Sequence, residues 1–316
     1  MRRSGDTSRP AIGLGLVGVG KIARDQHLPA IAGLSDFTLV AMASRDADRQ
    51  PDVPYRSLGE MLAAEPDVAA ITLACPPVGR AGLAREALRA GKHVMLEKPP
   101  CATVAEGEAL ADLARARGLT LFAGWHLREA AKVGAASAWL ANKTIQSAAI
   151  AWREDIRVWH PGQDWILAEG GMGVFDPGIN AFSILTVILP GAITLIEADL
   201  AVPANRESPI RARLSMRHGA AASVSADFDF LYTGEPHWTI EVATDAGLLR
   251  LDQGGTRLMI DGQPPEIGPN TEYPGLYKRF ADLVHSGTSD VDLRPLALVT
   301  EALRIGVRRT VSTFHF

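Results

Sequence analysis

IGLGLVGVGKIA, residues 12–23, joins an apolar run to a glycine-rich turn. The run Ile12–Val17 predicts a buried strand, and Gly18, Gly20 and Ala23 form a G-x-G-x-x-A pattern where a helix would begin. Glycine at the first two positions lets the backbone approach a pyrophosphate, and the helix N-terminus favours its negative charge. A glycine-rich turn in any α/β protein can show the same pattern, so the surrounding chain must decide between the two interpretations.

The surrounding chain alternates short apolar runs with alanine-rich amphipathic stretches up to about residue 128. This alternation is typical of βαβ units around a parallel sheet. The predicted helices Arg80–Ala90 and Ala105–Arg117 are followed by Gly91 and Gly118, where helices commonly end. We therefore expect an N-terminal Rossmann domain with a doubly wound parallel sheet. Its predicted strands are Ile12–Val17, Thr38–Ala43, Ala69–Leu73, His93–Leu96 and Thr120–Ala123.

The end of the second predicted strand indicates which dinucleotide is bound. A site that prefers NAD places a carboxylate there for the ribose 2′-hydroxyl, whereas this strand ends Ala43-Ser44-Arg45. A hydroxyl and a guanidinium suit a 2′-phosphate, so Ser44 and Arg45 predict NADP as the preferred cofactor and NAD as the weaker alternative. The other interpretation is that Arg45 is a solvated loop charge. The remaining contacts predicted in this region are Gly18, Gly20, Lys21 and Ile22.

Beyond residue 128 the pattern changes to strands that follow one another closely. Such runs indicate an antiparallel or mixed sheet in an α+β domain. Two helices, Gly275–Val284 and Pro295–Ser312, are predicted near the end of the chain. We expect two domains, residues 1–128 and residues 129–316. The strands predicted in the second are Ile145–Trp152, Ile193–Val202, Ile210–Met216, Ala221–Phe230, Thr239–Ala243 and Leu248–Leu251.

The composition is that of an ordinary globular protein. Of 316 residues, 47% are hydrophobic and 22% are charged, and the formal net charge is −4. These values argue against disorder and against a polyanion-binding surface, so nucleic acid is not an expected partner. No uncharged apolar run reaches the length of a membrane helix, and residues 1 to about 9 are expected to form a loose tail rather than a secretory signal. Because Cys75 and Cys101 are the two cysteines, we expect reduced thiols and a cytoplasmic location.

Three further motifs carry a resemblance to a known family. Glu97-Lys98-Pro99 follows the fourth predicted strand, Pro76-Pro77 follows the third, and residues 170–180 read GGMGVFDPGIN. Together with GVGKIA at 18–23, they resemble the glucose–fructose oxidoreductase/inositol dehydrogenase/MocA family along the chain from residue 12 onward. The stretches KIARDQHLPAI, AGKHVMLEKPP and WHPG, the last at 159–162, are most similar to the bacterial aldose 1-dehydrogenases of this family.

The resemblance implies a Rossmann domain followed by a domain with a large open sheet, which commonly forms the oligomer interface in this family. It implies an enzyme that oxidises the anomeric carbon of L-arabinose or D-galactose to a lactone with NAD(P). It also implies a cofactor site that includes Cys75, Pro76, Pro77, Glu97 and Lys98. For Cys75, the alternative is a small buried hydrophobic residue.

Oxidation of a sugar hemiacetal requires the C1 hydrogen to face the nicotinamide and the O1 proton to leave. Lys98 is predicted at O1, because it follows a strand at the carboxyl edge of the sheet, where doubly wound folds bind ligands. Burial and the positive nicotinamide would both favour its neutral amine. The alternative is an ordinary surface lysine.

Asp176 and Asn180 are spaced i, i+4, so they share one face if residues 174–188 are helical. There Asp176 would accept the O1 proton or hold Lys98 in place, and Asn180 would bond to sugar hydroxyls. Many family members have histidine at the position of Asn180; since asparagine cannot take a proton, the acid/base role falls to Lys98 or Asp176. The alternative is that Asp176 caps the N-terminus of a core helix.

Five of the six tryptophans, at positions 125, 139, 152, 159 and 165, lie among acidic residues and histidines. Indole faces and charged acceptors suit the C–H faces and hydroxyls of a pyranose. Trp125, Trp139 and Trp152 are nevertheless assigned to the core, and His126 taken alone would read as a strand-end histidine. By resemblance, the substrate contacts are predicted to be His126, Glu154, Trp159, His160 and Trp238, together with Asp176 and Asn180.

Two other functions remain open at this point. An oxidoreductase for another polyol, of inositol or dihydrodiol type, would carry the same motifs. A non-catalytic regulator that binds dinucleotide and sugar would account for Asn180. No histidine or cysteine pair has the spacing of a metal site, so no metal is expected.

Overall fold

The computed structural model describes residues 10–316, so the predicted tail, residues 1–9, lies outside the described residues. The described chain forms two compact units. Unit 1 contains the residues up to His126 and also Tyr273–Leu293, and unit 2 contains Leu127–Glu272 and Arg294–Phe316. The sequence predicted one division near residue 128, whereas Tyr273–Leu293 belongs to unit 1.

The strands and helices are numbered in chain order. The strands are β1 (Ile12–Val17), β2 (Phe37–Ala43), β3 (Ala70–Leu73), β4 (His93–Glu97), β5 (Leu121–Gly124), β6 (Ile145–Arg153), β7 (Ile193–Pro203), β8 (Arg211–His218), β9 (Ala222–Asp229), β10 (His237–Thr244), β11 (Gly247–Asp252), β12 (Arg257–Ile260), β13 (Glu266–Ile267) and β14 (Val307–Val311). The α-helices are α1 (Leu28–Ala32), α2 (Leu58–Ala64), α3 (Arg80–Arg89), α4 (Val104–Arg117), α5 (Val133–Leu140), α6 (Ile156–Trp159), α7 (Phe175–Ile188), α8 (Glu272–Ser286) and α9 (Arg294–Ile305). Within residues 10–316, no helix is both long enough and apolar enough to cross a membrane.

Unit 1 is built on five parallel strands in the order β2-β1-β3-β4-β5. This order confirms the predicted doubly wound parallel sheet. Unit 1 has two clusters of buried apolar residues, and helix α8 supplies much of one of them. In that cluster Phe280 stacks on Phe37 at 5.6 Å and on Phe122 at 6.2 Å between ring centroids. The helix that the sequence assigned to the second domain therefore completes the core of the first.

Unit 2 is built on a nine-stranded sheet in the order β13-β12-β11-β10-β6-β9-β8-β7-β14. The sheet is mixed, since β6 pairs with β9 and β7 pairs with β14 in parallel, while the other pairs are antiparallel. Helix α7 packs on it through Phe175 and Phe182, which both meet the ring of Phe228 edge-on. A Cβ on Gly178 would lie 2.9 Å from the same ring, so the helix approaches the strand as closely as glycine allows.

The prediction of one helix over Pro295–Ser312 is wrong in its second half. Helix α9 ends at Ile305, and Val307–Val311 forms an edge strand parallel to β7. Gly306 separates the two elements, and a Cβ there would lie 2.5 Å from the carbonyl oxygen of Ala302. The following VRRTV segment is rich in β-branched residues, which favour a strand over a helix turn.

Candidate active site

The glycine-rich turn has the geometry that a dinucleotide requires. Gly18 has φ +92°, and a Cβ there would lie 2.5 Å from the backbone nitrogen of Cys75, so no other residue fits between the ends of β1 and β3. A Cβ on Gly20 would meet nothing within 4 Å, which leaves open space beside the turn. Ala23 is fully buried and lets the helix pack closely on the sheet. The turn therefore has room for the pyrophosphate that the sequence pattern predicts.

The helix after this turn begins with exposed residues. Lys21 and Ile22 are both exposed, and Lys21 forms an ion pair with Asp25 one turn later. The first backbone hydrogen bond of the helix runs from the Arg24 N–H to the Gly20 oxygen at 3.2 Å. The N–H groups that precede it are those that a helix N-terminus offers to an anion.

The end of β2 presents the residues predicted to select NADP. Ser44 is half-buried, and its Oγ accepts a 3.4 Å hydrogen bond from the Asp46 backbone N–H. Arg45 is exposed and has no ion-pair partner among residues 10–316. An exposed guanidinium is compatible both with a 2′-phosphate contact and with a solvated charge.

Glu97 ends β4 and is a buried carboxylate, with only 4% of its surface exposed. Tyr273 donates a 2.6 Å hydrogen bond to its Oε1, and the His27 Nε2 lies 3.6 Å from the same oxygen. Burial opposes ionisation, but the His27 interaction and the charges of His126 and Lys98 outweigh it and lower the pKa of Glu97 to about 2. Glu97 is therefore an anion directly before the predicted catalytic lysine.

A buried polar chain continues from this carboxylate. The His27 Nδ1 lies 2.8 Å from the Tyr277 hydroxyl, which donates to Thr72 at 3.3 Å. His27 belongs to a π-helical segment, Ala23–His27, inside the first helical stretch, and it is fully buried. Such widened turns are frequent at functional sites. These polar contacts connect the helix that follows the glycine-rich turn to the strand that ends in Glu97.

The remaining predicted residues of unit 1 lie at the carboxyl edge of its sheet or next to it. Lys98 follows β4 and is half-buried, so it is neither in the core nor fully solvated. Pro76 is exposed, whereas Cys75 is half-buried and packs against the hydrophobic core, which is compatible with the interpretation of Cys75 as a small hydrophobic residue. His126 is half-buried, and its ring stacks on Tyr273 at 5.1 Å with an interplanar angle of 19°. Pro77 is half-buried beside Pro76.

In unit 2, Asp176 and Asn180 lie on α7, so the condition under which their spacing puts them on one face is met. Asp176 is buried, with 8% exposed, and it is inside the helix, since the N-cap position is Val174; the N-cap interpretation is wrong. The Asn180 Oδ1 is buried, and no described residue donates a hydrogen bond to it. At 100° per residue, both side chains lie on the side of the helix opposite Gly178 and Phe228. This side of α7 carries a buried acid and an unsatisfied acceptor.

Four predicted substrate contacts form one cluster in unit 2. Glu154, which directly follows β6, is only 3% exposed. Its Oε2 accepts a 2.7 Å hydrogen bond from the Trp238 indole, and its Oε1 lies 3.1 Å from the His160 Nε2. Trp159 meets Trp238 edge-on at 4.8 Å and keeps 46% of its surface exposed. Register places Trp238 opposite Trp152, so the adjacent strands β6 and β10 hold the cluster together.

The other tryptophans divide between core and surface. Trp125 and Trp152 are buried, as predicted for the core, and the Trp125 indole donates to the Asp292 carbonyl oxygen at 2.8 Å. Trp139 is half-buried, with the Lys143 ammonium over its ring. Trp165 is 55% exposed. No group of three potential metal ligands occurs in residues 10–316.

Sequence reasoning missed four buried polar residues of unit 1: His27, Arg80, Tyr273 and Tyr277. Arg80 lies on the buried face of α3 with Ala84 and Ala87. A single arginine or histidine in an otherwise apolar helical stripe was the available signal. No sequence signal marked the two tyrosines, because they belong to unit 1 only through the segment Tyr273–Leu293, which is far along the chain from the rest of that unit.

Comparison with known proteins supports the same organisation. Residues 12–125 match the model of the GFO_IDH_MocA family, described as an oxidoreductase family with an NAD-binding Rossmann fold. Galactose 1-dehydrogenase from Pseudomonas fluorescens is 44% identical over 304 residues, covering 96% of this chain and 99% of that protein.

Solved structures show the same similarity. The crystal structure of a D-galactose-1-dehydrogenase from Rhizobium etli is 48% identical, covers 98% of this chain and 99% of that one, and has a TM-score of 0.91. A 3-ketoreductase from Actinomadura kijaniata, solved with NADP and TDP-benzene, is 22% identical with a TM-score of 0.83 over 95% of this chain and 99% of that one; it shares the fold. This chain is therefore an enzyme of the Gfo/Idh/MocA oxidoreductase family, with a nicotinamide dinucleotide-binding Rossmann fold.

Proposed function

We propose that this protein is an NAD(P)-dependent aldose 1-dehydrogenase that oxidises C1 of D-galactose or L-arabinose to the lactone. The observation that carries the proposal is its similarity, along nearly the whole chain, to proteins named galactose 1-dehydrogenase. The two sugars have the same stereochemistry around the ring and differ in one hydroxymethyl group. Since a pocket rejects one extra group weakly unless that space is filled, we expect activity on both.

The proposed chemistry assigns a role to each predicted catalytic residue. A bound nicotinamide would accept the hydride from C1. Lys98 and Asp176 would act on the O1 proton, with Asp176 either accepting it or holding Lys98 in place. The Asn180 Oδ1, which is buried and accepts no hydrogen bond from residues 10–316, supports a role as acceptor for a sugar hydroxyl.

The cluster around Glu154 suits recognition of the sugar. His160 and Trp238 hold its carboxylate, which has lone pairs left to accept bonds from sugar hydroxyls. The exposed indole of Trp159 offers an apolar face for the C–H side of a pyranose. His126, held by its stack on Tyr273, is proposed as a further contact.

We propose NADP as the preferred cofactor, on the basis of Ser44 and Arg45 at the end of β2. The double variant Ser44→Asp/Arg45→Ala should move the NADP/NAD ratio of kcat/KM towards NAD. Arg49→Ala, which removes an exposed arginine from the next turn, is the matched control and should leave the ratio unchanged. An unchanged ratio in the double variant would remove the basis for the NADP preference.

The function itself is tested by absorbance at 340 nm with purified protein, NADP or NAD, and D-galactose, L-arabinose or myo-inositol. We expect reduced cofactor and the lactone with both aldoses. Turnover of the cyclitol without either aldose would favour an oxidoreductase for another polyol. Dinucleotide binding without reduction by any of the three would favour a regulator.

Assembly through the sheet of unit 2 is part of the proposal. On β8, the residues Arg211, Arg213, Ser215 and Arg217 alternate with buried ones and leave one face of the strand exposed. Light scattering should show an oligomer, and Arg213→Glu together with Ser215→Glu should dissociate it.

Cys75 and Cys101 are free thiols, which supports the cytoplasmic location that we propose.

A further inference from the structure

Arg80 is a buried cation at the carboxyl edge of the sheet in unit 1. It is the first residue of α3, follows Gly79 with φ +83°, and is only 3% exposed. Burial lowers the pKa of Arg80 from its ordinary value, but a guanidinium stays charged at any assay pH. A buried charge of this kind is costly unless its hydrogen bonds are satisfied.

The guanidinium is satisfied by three backbone carbonyls, one in the segment after β3 and two at the end of β4 and just beyond it. Its Nε donates to the Cys75 oxygen at 2.9 Å, and Nη2 donates to the same oxygen. Its Nη1 donates to the oxygens of Glu97 and Pro99. One side chain therefore bridges the segment after β3 and the segment that ends β4.

The hydrogen bonds of Arg80 lie just beyond the last residue pair that joins β3 and β4 in the sheet. The register between β3 and β4 ends at the pair Leu73↔Leu96. Beyond that pair, the bonds of Arg80 replace sheet hydrogen bonds between the two segments. Those segments carry the predicted cofactor contacts at 75–77 and the predicted catalytic Lys98.

We propose that Arg80 is a positioning residue, which fixes the spacing between segment 75–77 and the turn at Lys98 and so aligns Lys98 with the nicotinamide ring. This inference rests on the proposed function. The planar fork of arginine donates to three carbonyl groups on two segments at once, whereas the ammonium of lysine is a single point charge. Loss of the fork should let the two segments shift relative to each other.

The test is Arg80→Lys, with Arg89→Lys as the matched control, because Arg89 is an exposed arginine on the same helix. Measured at saturating NADP and D-galactose, we expect kcat of Arg80→Lys to fall by about 10²-fold, since misplacement by about 1 Å can cost that much. The primary isotope effect with C1-deuterated galactose should rise, because hydride transfer becomes slower than product release. Arg89→Lys should match the wild type in both.

A purely structural role predicts a different result. If Arg80→Lys lowers the melting temperature but keeps the wild-type kcat and isotope effect, Arg80 stabilises the fold and the inference is wrong. Should Arg80→Lys not fold, Arg80→Gln, which keeps a planar amide donor, is judged by the same two measurements. Failure of the proposed function is distinct, because it would show as a wild-type protein that reduces no NADP with either aldose.

Discussion

Because the pKa of the buried carboxylate of Glu97 is lowered in the folded protein, the free energy of unfolding should decrease at acidic pH. The variant Tyr273→Phe tests this expectation. The pKa of Glu97 is lowered from 4.5 to about 2, which corresponds to roughly 3 kcal/mol of stabilisation when the group is ionised. The Tyr273 hydroxyl supplies a 2.6 Å bond to this carboxylate. A hydrogen bond to a charged group contributes about 2 kcal/mol, so the variant should be less stable than the wild type by about that amount near neutral pH.

The sign of the pH dependence follows from the direction of the shift. Because the pKa of Glu97 is lower in the folded protein, its contribution is complete above pH 4.5 and is lost as the pH falls towards 2. The difference between wild type and Tyr273→Phe should therefore shrink by about 1 kcal/mol between pH 5 and pH 3. Urea unfolding followed by circular dichroism, repeated across this range, measures the difference.

Tyr232→Phe is the control for this experiment. The Tyr232 hydroxyl lies 3.2 Å from His237 rather than from a carboxylate, so its loss should have the same effect at pH 5 and pH 3. A difference between wild type and Tyr273→Phe that stays constant down to pH 3 would refute the reasoning. Glu97 would then be protonated in the folded protein, or the bond from Tyr273 would not depend on its charge.

Three other perturbations follow from the site and the fold. Lys98→Met and Asp176→Asn should each lower kcat with D-galactose by about 10²–10⁴-fold; if both act on O1, the double variant should be little slower than the slower single variant, and multiplied losses would contradict a shared role. Glu154→Gln should raise KM for the sugar about tenfold while leaving the Kd for NADP unchanged, as measured by fluorescence titration. Gly178→Ala should lower the melting temperature, because the new Cβ would lie 2.9 Å from Phe228 and such overpacking costs about 1–3 kcal/mol.

The sheet of unit 1 was predictable because each of its strands is a short apolar run next to a glycine or a helix signal. The helices between the strands carry local signals as well. Helix α4 begins after Thr103, which forms a capping box with Glu106, and it ends at Gly118, whose φ of +64° favours glycine. The strand β14 was not predictable in the same way. Its residues are all exposed, and they form a strand because β7 offers a free edge, which is a property of the folded sheet.

The candidate site shows the same limit. The sequence identified Lys98, Asp176 and Asn180 because they lie in short motifs. It missed Arg80 and Tyr273, since each acts on a backbone or carboxylate group that is distant along the chain or brought near by the sheet. Short sequence motifs identify the residues that would act on the substrate, whereas the residues that position them are identified only in the folded structure.

Two buried glutamates, Glu97 in unit 1 and Glu154 in unit 2, have similar surroundings, and this bears on the role of each. Glu97 is bonded by an aromatic hydroxyl and lies beside a histidine; Glu154 is bonded by an indole N–H and also lies beside a histidine. Each ends or directly follows a strand and is almost completely buried. For Glu97, the cost of burial is outweighed by the interaction with His27 and by nearby positive charges, which lower the pKa to about 2, so this carboxylate stays an anion near neutral pH. Both glutamates therefore suit the role of hydrogen-bond acceptors held in place by fixed donors, and proton transfer stays with Lys98 and Asp176, which the motifs single out.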